Sequence, residues 1–248
     1  MPSSEPTPSS RLGTGRIVGL LLFGTLVFLV AALVAPWIWQ TLRSADTPVK
    51  AAGAAVAPIA GLPWQIERRP DGSSLVFGLD LGHGTLAQAT RRWPEEPLQL
   101  ALVRDAQAGL TLEGYVERVS AGFVQGKLVL TGRADAATLQ AWADRATDRT
   151  PQPSGTWRLT LAADDHAAAL AAPIAGLVFL PAARFDEATA TERFGPPPER
   201  LATPDGTVHL LYPDHGVVVA LDPQGRARPV LQYVAPAEFQ RLRAPLLR

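Results

Sequence analysis

From Ile17 to Leu42 the chain carries no charged side chain, and no other feature constrains it so tightly. The apolar heart of this run is Ile17 to Trp39. At 1.5 Å rise per residue, about 20 helical residues cross a hydrocarbon core of about 30 Å. The pattern predicts a transmembrane helix over 17–39. A cleaved signal peptide is the rival reading, with an apolar region of about 7–15 residues ending at small side chains. Here the run is longer, and Leu33-Val34-Ala35 is followed by Pro36, a poor context for cleavage. Trp37 and Trp39 close the run, where amphipathic rings favour the headgroup level, and Arg16 abuts its start. These three residues are the expected membrane-interface anchors.

Arg11 and Arg16 precede the run, and Arg43 and Lys50 follow it, so basic residues alone do not orient it. A short tail ahead of a long downstream body favours a cytoplasmic N-terminus and a periplasmic body. Residues 1–16 are dominated by Pro and Ser and read as a disordered tail. Residues 40–62 are rich in Ala, Pro and Gly and read as a linker holding the body off the bilayer. The preference for Arg over Lys, in a chain rich in Ala, Gly and Pro, resembles high-GC bacterial coding usage.

Composition removes several classes. Lys+Arg and Asp+Glu both number 23, which argues against a dedicated nucleic-acid binder. There is no cysteine, hence no disulfide, thiolate metal site, cysteine nucleophile or lipid-bearing cysteine.

The body reads as α+β. Period-2 apolar residues flank Pro70-Asp71-Gly72, giving a β-hairpin over 64–79. Leu86, Ala89 and Trp93 share one helical face over 85–93, stopped by Pro94. Strands follow at 98–103, 110–116 and 123–131. Asp135 caps a helix carrying Leu139, Trp142, Ala143 and Ala146. The polar, proline-bearing stretch 147–154 reads as an internal linker between a first module, 63–150, and a second, 155–248. The second holds a strand at 157–162, an Ala-rich helix capped by Asp164, a buried strand at 177–180 and a helix at 186–194. Turn clusters around Gly206, Gly216 and Gly225 then punctuate an antiparallel meander, and Pro236 opens a last helix bearing Phe239 and Leu242. Val208, Leu210 and Tyr212 are expected on one buried face with Phe194 packed against them, leaving His209 on the opposite, exposed face.

Ala87–Pro97 and Ala188–Pro198 align as AQATRRWPEEP over ATATERFGPPP, with Trp93 on Phe194. A second echo, PIAGL, occurs at Pro58–Leu62 and Pro173–Leu177 at a different offset. The two modules are therefore candidates for related units.

The segment ATATERFGPPPERLATPDGTVHLLYPDHGVVVALDPQG, through Phe194-Gly195-Pro196 and Tyr212, resembles the small outer-membrane-assembly lipoproteins of the BamE/SmpA type. In that family a short helix ends in an aromatic- or Leu-Gly-x-Pro turn before a meander. The lipid-attachment cysteine of the family is absent here. The resemblance implies the local fold and a protein-binding habit. GKLVLTGRADAATLQAWADRA resembles, more weakly, a BON module.

No motif announces chemistry. There is no Gly-x-Ser-x-Gly elbow, Walker A loop or GxGxxG, and Gly82-His83-Gly84 is too short for a phosphate loop. His209, His215 and Asp214 could meet across a hairpin as metal ligands, but exposed turn and strand histidines are the commoner case. Asp164-Asp165-His166 suits a helix start, and Glu95-Glu96 a solvated loop. Arg68-Arg69 and Arg91-Arg92 read as solvated faces. The expectation is a membrane-anchored periplasmic protein that binds protein partners, with no catalytic residue, metal or cofactor. An envelope enzyme with an unrecognised carboxylate site and a lipid- or small-ligand-binding protein are the alternatives.

Overall fold

The computed structural model describes residues 61–106 and 108–247. The expected tail, the helix over 17–39 with Arg16, Trp37 and Trp39, and the linker up to residue 60 lie outside the described residues. Among the described residues no helix is long and apolar enough to cross a membrane.

The body is α+β, built on two antiparallel sheets. The small sheet holds β1 (Glu67–Arg68), β2 (Ser74–Val76) and β3 (Leu79–Leu81). The first turn is the expected one, with Gly72 at φ 83°. The second, Phe77-Gly78, places Phe77 at φ 56°, a conformation that strains a residue with a Cβ. Its ring is buried against Phe179 and Tyr233, with centroids 5.0 and 5.6 Å away, and its carbonyl accepts from Arg92 Nε at 2.9 Å.

The large sheet has ten strands. In chain order they are β4 (Gln99–Asp105), β5 (Gly109–Ala121), β6 (Val124–Gly132), β7 (Asp148–Pro151), β8 (Trp157–Thr160), β9 (Ile174–Pro181), β10 (Glu199–Ala202), β11 (Val208–Tyr212), β12 (Val217–Leu221) and β13 (Val230–Tyr233). Their order across the sheet is β10-β11-β12-β13-β9-β6-β5-β4-β8-β7. One face carries the main core: Leu102, Leu112, Leu128, Phe179, Leu210, Val219 and Tyr233 are each buried there. The small sheet covers it together with α1 (Ala87–Arg92), α2 (Ala136–Asp144), α3 (His166–Ala171) and α4 (Glu187–Phe194). Over β11 to β13 the opposite face is also covered. There Phe239 and Leu242, from the C-terminal turns and α5 (Gln240–Arg243), pack on Leu211, Val218 and Val234. Arg243 clamps this cover to the edge strand through Glu199, at 2.7 and 3.0 Å.

Local signals explain most elements. Asp135 and Asp186 cap α2 and α4 by accepting from Thr138 N and Thr189 N, both at 2.8 Å. Leu86, Ala89 and Trp93 line the buried side of α1, as their spacing predicts.

Three expectations need correction. The stretch 147–154 is no linker: β7 lies within it and pairs with β8, and Thr147 N donates to Thr160 O at 3.0 Å. A polar edge strand that buries nothing carries the composition of a linker. The expected boundary between the two modules therefore falls inside one sheet, which β6 and β9 join through pairs from Gly126–Pro181 to Gly132–Ile174. Asp164 does not cap α3. Asp165 is the buried carboxylate there, and Arg145 holds it at 2.7 and 3.2 Å. His209 is not exposed: only 4% of it is accessible, because the C-terminal cover gives β11 two buried faces. Val208, Leu210 and Tyr212 do share the core face, with Phe194 against Tyr212 at 5.3 Å.

Candidate binding cleft

Past Tyr115, strand β5 runs on beyond its neighbour. β4 pairs with it only from Asp105–Gly109 to Gln99–Tyr115. β6 accompanies it on the other side to the hairpin end, Ala121–Val124. Between Val116 and Val119 the pairing slips, so that Glu117 and Arg118 together oppose Lys127. This bulge bends the strand and re-aims side chains. Glu117 meets Lys127 Nζ at 2.7 Å, while Arg118 swings outward to Glu96 at 2.9 Å.

In place of a continued β4 stands the loop leaving α1, Trp93-Pro94-Glu95-Glu96. Between this loop, the bulged end of β5, Gln125 to Lys127 of β6, and Leu180 to Ala182 lies a cleft of about 590 Å³. That is within the range of ligand sites. Gly126 is required at its floor, since a Cβ would come within 2.4 Å of the Leu180 carbonyl oxygen. Arg228 closes one end and donates from Nη1 to the Ala182 carbonyl at 2.9 Å. Arg92 lines the other end, its guanidinium 5.2 Å from the Trp93 ring centroid.

Trp93 is the distinctive wall residue. It is 7% exposed, and its indole N–H is buried with no acceptor among the described residues. A buried donor left without a partner costs about 1–3 kcal/mol. Farther back along β5, burial pushes the Glu113 carboxyl up to about 7, with Thr111 and the charge of Arg158 opposing the rise. Tyr115 donates to Glu117, and burial with that carboxylate raises its pKa.

The other sequence candidates go elsewhere. His209 Nε2 lies 3.3 Å from Thr203 Oγ1. Burial lowers its pKa, and the Asp205 charge opposes this. His215 packs near the Tyr212 ring, with centroids 6.4 Å apart, and Asp214 turns to Arg68 at 3.8 Å. Among the described residues no three His, Asp or Glu side chains gather as metal ligands. His83 pairs with Asp71 at 2.9 Å. Arg69 is held by Asp80 and Arg92 by the Phe77 carbonyl, so half of each basic cluster is structural. Glu96 is tied to Arg118 in the cleft wall, where a solvated loop was expected. Sequence reading missed the cleft itself. Trp93 looked like ordinary helix-face filler, and no pattern reports that one strand outruns its neighbour.

Comparison of the chain with family models, with curated proteins and with solved structures finds no match.

Proposed function

We propose that the chain is a single-pass protein of the bacterial inner membrane, anchored by residues 17–39 with its N-terminus in the cytoplasm. Its periplasmic body binds a protein partner of the cell envelope and catalyses no reaction. The cleft beside β5 carries the binding half of this reading, because it combines apolar walls, an unpartnered indole donor and an uncovered strand edge. Four of its seven charged groups neutralise one another in pairs, Lys127 with Glu117 and Arg118 with Glu96, and Arg92 and Arg228 donate to backbone carbonyls. That suits recognition by shape and backbone better than charge chemistry. The uncharged run from Ile17 supports the anchor, and the resemblance to envelope-assembly lipoproteins supports a protein ligand. The echo between 87–97 and 188–198 further supports reading the two helix-to-meander units as related.

In-cell photocrosslinking tests this. A crosslinker replacing Gln125 at the cleft should yield a discrete protein adduct that one at the distant, exposed Trp157 does not. Adducts with lipid or wall polymer alone would sink the protein partner and favour the small-ligand or enzyme alternatives. A reporter active only in the periplasm, fused after Arg248, should be active; activity of the complementary cytoplasmic reporter would overturn the orientation.

A further inference from the structure

We infer that the cleft takes an extended peptide segment of the partner, which adds as a strand to the open edge of β5. This deepens the binding role proposed above and rests on it. Two independent observations carry it.

The first is the edge. Beyond the last β4 pair, Gln99–Tyr115, no described strand borders β5 on that side, and among the described residues no backbone hydrogen bond reaches Glu117 to Ala121 from there. Five residues at about 3.4 Å each give roughly 17 Å of template. The hairpin end fixes which groups face it. Gly122, at φ 64°, and Phe123 make a two-residue turn closed by Ala121 and Val124. A closing pair of this kind exchanges both of its bonds, and neighbouring pairs alternate. The backbone N–H and C=O of Ser120 therefore point away from β6, toward the cleft. Ser120 itself is exposed.

The second is Trp93. Its ring forms the facing wall, and its buried N–H has no acceptor among the described residues. A strand laid along β5 presents backbone carbonyls on both of its edges. One edge pairs with β5, and the other runs along the wall that Trp93 forms. Alternate side chains of such a segment face the apolar wall, so the segment is apolar at every second position and otherwise polar. This is recognition by strand addition, with affinity from the main chain and selectivity from alternate side chains.

The probe is a displayed library of linear octapeptides, selected on the full-length protein in detergent. Enriched peptides should alternate apolar and polar residues and bind saturably. A twin N-methylated at alternate residues on the pairing edge should bind at least about tenfold more weakly, since it loses the main-chain bonds. Ser120→Pro should abolish binding with the fold intact, because proline is tolerated where a strand's N–H faces an open edge. Ser120→Ala should bind as the unaltered protein does. If Ser120→Pro does not fold, the N-methylated twin on the unaltered protein still decides. Equal binding of the two twins would overturn strand addition, as would a failure to enrich any peptide. Peptide binding that survives while in-cell crosslinks fail would leave the strand site standing and remove the envelope partner.

Discussion

The ends of α1 and α4 carry similar sequences and are finished differently. Each is a short helix closing on an aromatic residue, Trp93 or Phe194, and each leads into an antiparallel meander. At Phe194 everything is shut. Its ring packs on Tyr212, the Tyr212 hydroxyl donates to the Gly195 carbonyl at 3.2 Å, and Phe185 stands edge-on at 6.4 Å. Trp64 stacks on Phe185 at 6.5 Å, and the Arg193 guanidinium lies 5.1 Å from the Trp64 ring centroid. At Trp93 the polar atom is left over, and the neighbouring strand has an open side. Both aromatic residues belong to the main core, and the Trp93 end also borders the cleft. A local sequence likeness therefore does not decide how a helix end is finished.

The largest effect belongs to the sealed end. Phe194→Ala should destabilise the body by roughly 3–5 kcal/mol, as truncation of a packed aromatic does. Urea unfolding of a fragment beginning at Gly61 measures it. A loss below about 1 kcal/mol would mean that the stack is ornamental and that the two ends are alike.

His209 comes next, in the same half. The period-2 pattern placed it opposite Val208, Leu210 and Tyr212, and that phase is correct. The pattern could not show the C-terminal turns folding back over the second face. His209→Ala should therefore cost about 1–3 kcal/mol, the range for a buried residue with few polar ties, and not the few tenths expected of a surface site. Its lowered pKa means that the unfolded chain binds the proton more readily. Stability then falls as pH drops below about 6.5, and His209→Ala should remove that slope.

Legibility followed the same line throughout. Elements with one buried face were readable, because burial on one side writes a period into the sequence. The hairpin at 70–72, the face of α1 and the Asp135 cap are examples. Edge strands β7 and β10 were not readable, since polar DRTP and half-exposed ERLA have little to bury. The β6–β9 junction joins residues some 50 apart, and the bulge at Glu117–Arg118 depends on what lies opposite; neither leaves a local trace. Of the cleft, the sequence marked only Arg92 to Glu96, and each of these for another reason.

Glu113, in the first half, should give the opposite pH dependence to His209. Its carboxyl is pushed from the ordinary 4.5 to about 7, so the folded state holds its proton longer than the unfolded chain does. Stability is greatest below about 4.5 and is lost as pH rises through about 7, by roughly 1–3 kcal/mol at about 1.4 kcal/mol per pH unit. Glu113→Gln should flatten this slope. Urea midpoints at pH 5 and pH 8, for the unaltered body and the variant, measure it. A midpoint that rises from pH 5 to pH 8 and does not respond to the substitution would show that Glu113 is well solvated.

The smallest effects separate the two helix ends most sharply. Tyr212→Phe removes a hydroxyl that has an acceptor, the Gly195 carbonyl, and should cost about 1 kcal/mol. Trp93→Phe removes an N–H that has none. It relieves the cost of a buried, unpaired donor while giving up some packing of the larger ring. These terms oppose each other, so the net change should lie within about 0.5 kcal/mol. The same substitution should weaken peptide binding at the cleft, where Tyr212→Phe should leave it unchanged. A Trp93→Phe loss of 2 kcal/mol or more would mean that the indole belongs to the fold as fully as Phe194 does, and the contrast between the two ends would collapse.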